Sequence, residues 1–271
     1  MNLEGKVVLI TGAGRANGIG AGIAKCFVKA GARVAITDLP NVETDEAIAS
    51  IGGNTIALAA NAASQPDMQA AVSEVINQCG KLDVLVNNAG IGGDTMAFGD
   101  DEQEASAFMR MSDEAWDQNL EANLKTAFSS THAALPRMSD GGSIVNIASI
   151  AALGPAITLP AYGAAKAGVV HLTKTLAIEL APRRIRVNCI CPGLLYTRAW
   201  ELLTQRMKDQ QPELANMSHR QIFESIVADI TPLGGEQTPE DIGNLAVFYS
   251  SDIAHMITGQ IVAVDGGISV K

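Results

Sequence analysis

Apolar residues in this chain fall into short β-branched runs separated by longer stretches with helical spacing. The runs at 6–11 (KVVLIT), 33–37 (RVAIT), 55–59, 83–87 (DVLVN), 143–148 (SIVNIA), 185–190 (IRVNCI) and 260–264 (QIVAV) each predict a strand. Between the first two, Gly18 to Ala30 sets Ile19, Ile23, Ala24, Phe27 and Val28 on one helical face. Further helices are predicted near 43–51, 67–79, 113–137, 160–181 and 239–249, and 195–228 reads as helical but irregular. Strands that are apolar throughout are buried on both faces. Their alternation with helices predicts the α/β class: a single-domain, doubly wound Rossmann fold whose parallel sheet of about seven strands carries helices on both faces. In such a sheet the ligand lies at the carboxyl ends of the strands, so the loops there are where chemistry is sought.

Composition narrows the picture. The chain has 271 residues, 47% of them hydrophobic, enough for one large core, and no linker, repeat or low-complexity block divides it. One domain over 1–271 is expected, with 195–228 as a candidate substrate lid. A formal net charge of −10 argues against nucleic acid or an anionic membrane as partner. Cys26, Cys79, Cys189 and Cys191 read as small buried hydrophobes, and Cys189-x-Cys191 has neither the spacing nor the histidines of a zinc site. No metal is expected. No apolar run reaches the ~20 residues of a membrane span. The chain enters a strand pattern almost at its first residue, without the pattern of a signal peptide. These features lead to the expectation of a soluble, reduced, cytoplasmic protein.

Two local patterns carry candidate chemistry. Thr11-Gly12-Ala13-Gly14-Arg15-Ala16-Asn17-Gly18-Ile19-Gly20 joins the first strand to the first helix. Glycines there let the backbone approach a pyrophosphate while the helix N-terminus offers free N–H groups. Asp38 ends the second strand, where a carboxylate accepts from ribose hydroxyls and repels a 2′-phosphate, which favours NAD over NADP. Asp38 could instead only start a turn with Leu39-Pro40, and Arg15 is a possible 2′-phosphate partner. The second pattern is Ser149, then Tyr162, then Lys166. Tyrosine and lysine four apart share a helix face, and a nearby ammonium favours the phenolate, so the pair reads as a general acid/base whose tyrosine titrates below its usual value.

With Asn87-Asn88-Ala89-Gly90 after the fourth strand, Asn123 in the long helix and Pro192-Gly193 after the sixth, the chain resembles the short-chain dehydrogenase/reductases over essentially its whole length. The resemblance implies that Tyr162 exchanges the proton, Lys166 tunes it and bonds the nicotinamide ribose, Ser149 holds the substrate oxygen, and Asn123 holds a relay water. Gly12, Gly14, Asn17, Gly18 and Ile19 of the glycine turn are candidate cofactor-binding residues. Asn88, Ala89 and Gly90 would border the adenine ribose, and Pro192, Gly193, Leu195 and Thr197 the carboxamide. The resemblance also implies a homo-oligomer, a tetramer, and a small-molecule secondary alcohol or ketone as substrate. His171, more than two turns past Tyr162, reads as structural.

The sequence departs from the family pattern in three places. Gly12 and Gly18 enclose five residues rather than three. Asn61, followed by Ala62, stands near the position of an aspartate that meets adenine, and its side-chain carbonyl can accept the same hydrogen bond. The connection 91–112 is long and acidic, carrying Asp94, Asp100, Asp101, Glu102 and Glu104. It is either a solvated excursion or, through Met96, Phe98, Phe108 and Met109, a wall of the substrate pocket. Tyr196, Trp200, Leu202, Leu203, Met207 and Phe223 offer apolar surface on the lid, or core contacts of a lid helix. The functional expectation is an NAD(H)-dependent oxidoreductase interconverting a secondary alcohol and a ketone. A 3-oxoacyl-[carrier protein] reductase is the nearer alternative, and a non-catalytic dinucleotide sensor the further one.

Overall fold

The computed structural model describes residues 1–91 and 106–271. Seven parallel strands, β1 (Val7–Thr11), β2 (Arg33–Asp38), β3 (Ile56–Ala59), β4 (Leu82–Asn87), β5 (Met138–Ile147), β6 (Arg186–Pro192) and β7 (Ile261–Val264), form one sheet in the order 3-2-1-4-5-6-7. The order reverses between β1 and β4, which opens a crevice at their carboxyl ends.

Alternate residues of each strand feed different cores, because successive side chains point to opposite faces. Val8, Ile10, Val34, Ile36, Val84 and Val86 pack with Ile23 and Phe27 of α1 (Ile19–Lys29) and with Ile242 and Ala246 of a C-terminal helix, Pro239–Ser250. On the opposite face, Val7, Leu9, Leu85, Ile144 and Val187 meet Met68, Val72 and Val75 of a helix over Gln65–Cys79 and Leu176 of one over Pro160–Glu179. In chain order the helices are α1, α2 (Asp45–Ile51), α3 (Gln65–Cys79), α4 (Asp113–Leu120), α5 (Thr126–Ala134), α6 (Pro160–Glu179), α7 (Arg198–Gln210), α8 (His219–Ile230) and α9 (Pro239–Ser250).

The helix ends follow their sequences. Ser64 accepts from Asp67 N at the start of α3, and Gly80, in the left-handed conformation with φ of 81°, closes it. Thr238 and Asp241 form a reciprocal cap on α9, and Ser218 and Gln221 do the same on α8. At Gly22 a Cβ would come within 2.2 Å of Pro239 Cβ, so the absence of a side chain sets how closely α1 and α9 approach.

Two boundaries differ from the sequence expectation. The helix expected over 113–137 is divided: a π-helical turn at Glu121–Lys125 separates α4 from α5, and a 3-10 turn containing Pro136 ends it. Inside the π turn, Asn123 Nδ2 donates to Asn119 O at 3.2 Å, a side chain taking a carbonyl that an unbroken helix would use internally. The strand expected at 143–148 begins at Met138, because Leu82 pairs with Met138 before the register shifts. Arg183 holds that early segment, donating to Asp140 Oδ1 at 2.8 Å, Leu135 O at 2.7 Å and Met138 O at 2.6 Å. The irregular 195–228 stretch resolves into α7 and α8, joined by a turn at Pro212–Leu214.

Candidate active site

The crevice widens into a cavity of about 1210 Å³. Ordinary small-molecule pockets run from about 300 to 1,000 Å³, so this one has room for a dinucleotide and a small substrate together. Its floor begins where β1 meets β4. Thr11 Oγ1 accepts from Asn88 N at 3.1 Å and Ala89 N at 3.0 Å, while Asn88 Nδ2 donates to Thr11 O at 3.0 Å and Gly12 O at 2.8 Å. This clamp brings the two turns so close that a Cβ on Gly12, whose φ is +66°, would lie 2.6 Å from Ala89 Cα. The sequence motif alone assigns Thr11 no role. A hydroxyl residue ending the first strand just before the turn is the signal for it.

Above the clamp, α1 opens onto the cavity through Gly18 and Ile19, and no side chain caps its N-terminus. Free amides and the positive end of the helix dipole suit a pyrophosphate. Asp38 lies across from them. Its Oδ2 accepts from Gly14 N at 2.7 Å and its Oδ1 from Leu39 N at 2.9 Å. Each carboxylate oxygen keeps a further lone pair for a ribose hydroxyl. Gly14 is thus buried behind Asp38 rather than on the cavity wall. A Cβ there would sit 2.7 Å from Asp38 Cβ, so the extra length of the glycine loop is spent on holding Asp38. Exposed Arg15 also lines the cavity, as do Asn17, Asn61 and Ala62. Asn61 Oδ1 already accepts from Ala63 N at 3.0 Å, which fixes its orientation. These residues fit a nicotinamide dinucleotide: anion-binding amides at one point, a fixed acceptor at the next, and Pro192, Gly193, Leu195 and Thr197 at the far end. Gly193 N donates to Gln237 Oε1 at 3.0 Å and Tyr196 N to Glu236 Oε1 at 3.3 Å, two anchors without a sequence signal.

The reactive end is assembled from three elements. Ser149 follows β5 in extended backbone and caps a 3-10 turn, its Oγ accepting from Ala151 N at 3.2 Å. Tyr162 and Lys166 stand one turn apart near the start of α6, and the π turn supplies Asn123, which is 1% exposed. The Ser149 side chain stands near enough to the Tyr162 hydroxyl to act on its titration. Lys166 Nζ donates to Ile147 O at 3.1 Å and lies 5.7 Å from the Tyr162 ring centroid. Asn123 Oδ1 accepts from Ile91 N at 3.2 Å. A Cβ on Gly90 would meet that oxygen at 2.7 Å and Lys166 Nζ at 3.2 Å, so Gly90 is the point where lysine and asparagine converge. All four expected catalytic side chains therefore border one space. Exposed His171 lies on another face, beside Phe128 and Leu124.

The electrostatics correct one expectation. Burial pushes the Tyr162 hydroxyl above its usual value near 10, with Ser149 acting against it. Burial also pushes Lys166 down to about 8, while the thiols of Cys189 and Cys191 act the other way. With its own charge penalised, Lys166 does not bring the tyrosine below 10 in this structure. Cys189 and Cys191, alternate residues of β6, lie buried side by side, and each acts on the other, raising Cys189 and lowering Cys191.

Beyond the catalytic candidates, the cavity is lined by Ile150, Ala151, Pro155 and Leu159 of the segment after Ser149 and by Trp200 and Leu203 of α7. Of the expected apolar lid residues, Phe223 is fully buried and Tyr196 packs on it at 5.3 Å; Tyr196, Leu202, Met207 and Phe223 do not line the cavity. Phe108 and Met109 are 66% and 75% exposed and do not line it either. Met96, Phe98 and the acidic residues from Asp94 to Glu104 lie outside the described residues. Among the described residues no cluster suited to a metal ion occurs, and no helix is long and apolar enough to cross a membrane.

The chain matches known proteins over its whole length. The family profile described as enoyl-(acyl carrier protein) reductase matches residues 12–269. The chain is 34% identical to a 3-oxoacyl-[acyl-carrier-protein] reductase FabG from Thermotoga maritima, with all of both chains aligned. It is 35% identical to the (2S)-[(R)-hydroxy(phenyl)methyl]succinyl-CoA dehydrogenase subunit BbsD of Thauera aromatica, over 100% of this chain and 99% of that one. A crystal structure of 3-ketoacyl-(acyl-carrier-protein) reductase from Brucella melitensis complexed with NADH superposes with a TM-score of 0.80 at 36% identity, covering 99% of this chain and 100% of the other.

Proposed function

The chain belongs to the short-chain dehydrogenase/reductase family of oxidoreductases, and from that footing we propose that it interconverts a secondary alcohol and a ketone with NAD(H). The observation that carries this reading is the convergence of Ser149, Tyr162, Lys166 and Asn123 on a cavity continuous with the glycine turn and Asp38. When bound, the dinucleotide supplies the carbon that takes or gives the hydride. The chain's residues manage the oxygen. In oxidation, the substrate hydroxyl bonds Ser149 and Tyr162, and its proton passes to Tyr162 Oη as the carbonyl forms. Lys166, fixed by Ile147 O, stands beside the Tyr162 ring and would bond the nicotinamide ribose. Asn123 holds the lysine end of the path to solvent.

Asp38 supports NAD over NADP, since both its oxygens are held by backbone amides and it cannot swing away from a 2′-phosphate. The Brucella relative's complex with NADH supports the same choice. The expected ratio of kcat/KM for NAD over NADP is at least about 100, the result of a like-charge contact costing a few kcal/mol. Steady-state rates with the two cofactors measure it. Equal or better use of NADP would overturn the assignment and turn attention to Arg15.

The relatives' names favour a second reading, reduction of a 3-oxoacyl thioester on a carrier. Turnover of a 3-oxoacyl thioester in preference to simple ketones would select it.

We also assign α7 and α8 the role of a lid that closes as one piece. Thr204 Oγ1 lies 2.9 Å from His219 Nδ1, Trp200 packs edge-on to Phe223 at 4.9 Å, and Arg220 pairs with both Glu224 and Glu236. Closure would exclude water from the hydride path. Amide exchange across 198–230 should slow together on adding NAD; protection that is already strong and does not change would rule the lid out.

A further inference from the structure

Resting on the alcohol–ketone reading, we infer that the substrate is an uncharged ketone or alcohol with a bulky apolar substituent, and that Trp200 of α7 determines that specificity. Trp200 is half-buried and lines the cavity. Its ring is not free to turn aside. Phe223 stands edge-on to it at 4.9 Å and is itself fully buried, with Tyr196 on the same ring at 5.3 Å and Arg220 5.0 Å over Tyr196. The backbone behind Trp200 is held as well: its carbonyl accepts from Thr204 Oγ1 at 2.6 Å, and Thr204 is fully buried. A braced aromatic ring offers contact area at little entropic cost.

The segment after Ser149 gives the same cavity a second apolar wall. Ala151, Pro155 and Leu159 line it, and the loop carrying them packs against the start of α6. A Cβ on Gly163 would lie 2.7 Å from Ala156 Cβ and 3.2 Å from Ala151 O, so this wall sits directly against the helix that bears Tyr162. A carbonyl held at Ser149 and Tyr162 therefore directs one of its two substituents between the loop and α7. Among the described residues, the charged side chains lining the cavity apart from Arg15, Asp38 and Lys166 are Glu121, which pairs with Lys125 at 2.8 Å, and Arg198, which is exposed at the first residue of α7. Neither is buried against the slot, and water can solvate both. The slot thus selects by apolar area.

The test is a homologous series of methyl ketones, 2-butanone to 2-octanone. Binding is read by saturation-transfer NMR in the presence of NADH, and reduction is read as kcat/KM. Burial of each added methylene should strengthen binding and raise kcat/KM by up to about fourfold until the slot is full. Trp200→Ala should flatten that slope and Trp200→Phe should keep part of it. Leu203→Phe, which adds bulk to the same wall, should end the rise at a shorter chain and serves if the Trp200 variants fold poorly. A flat series in the wild type would overturn the inference. So would a tenfold preference for 3-oxobutanoate over 2-butanone that Arg198→Ala abolishes, because the slot would then read charge. If the binding slope holds but no ketone is reduced with either dinucleotide, the apolar slot stands and the alcohol–ketone reading falls.

Discussion

Tyr162→Phe is expected to lower kcat/KM for alcohol oxidation by about a thousandfold while leaving the dissociation constant of NADH within about threefold, the usual scale for loss of a positioned acid/base. The ring still packs at the start of α6, but the oxygen that exchanges the proton is gone. The pH dependence follows from the direction of the tyrosine shift. Oxidation needs the phenolate, so the wild-type rate rises as Tyr162 loses its proton. Burial holds that hydroxyl above 10 in this structure, and the positive ring of the oxidised cofactor acts the opposite way when bound. The rise in rate at saturating NAD should therefore lie at lower pH than the phenol titration of the protein alone, read as the ultraviolet difference between wild type and Tyr162→Phe. Near wild-type turnover in Tyr162→Phe, with the same profile, would refute the mechanism.

Replacing the lysine should separate activity from stability. Lys166→Met is expected to lose most turnover, since the amine beside Tyr162 that would also bond the nicotinamide ribose is gone. Yet it should stabilise the fold, by up to about 3 kcal/mol at pH 7 if the lysine is lowered from its ordinary 10.5 to about 8. The sign follows from proton counting. Between about 8 and 10.5 the unfolded chain holds a proton on Lys166 that the folded chain has released, so wild-type stability rises with pH across that window. The full penalty is present below 8. The advantage of Lys166→Met should be largest there and fade towards pH 10.5. Thermal unfolding of both proteins from pH 6 to pH 10 tests it, and a wild type more stable than the variant at pH 7 would contradict it.

What the sequence made legible was local. The strand runs, the glycine turn and the i, i+4 spacing of Tyr162 and Lys166 depend on neighbours in the chain, and apart from the start of β5 the structure keeps each within a residue or two. The features that were not legible depend on distant partners. The early start of β5 at Met138 rests on a pairing with Leu82 and on the guanidinium of Arg183. The π turn that carries Asn123 has no composition of its own, because the donor that opens it is Asn123 itself. Trp200 and Phe223 looked alike as apolar lid residues. Only the packing of α7 on α8 puts one against the cavity and the other beneath it. The tyrosine shift was misjudged because a spacing rule counts the nearby charge and not the burial of both groups.

The pair formed by Gly14 and Asp38 bears on any attempt to re-engineer cofactor choice. The carboxylate that would reject a 2′-phosphate is also the acceptor that ties down the glycine loop, through a 2.7 Å bond to Gly14 N. An Asp38→Ala exchange removes the repulsion and the tether in one stroke, freeing the lengthened loop at the point where the pyrophosphate must land. Retuning this protein is thus a two-variable problem: a new anchor for Gly14 has to be supplied before the altered preference can be read without a loss of affinity for either dinucleotide.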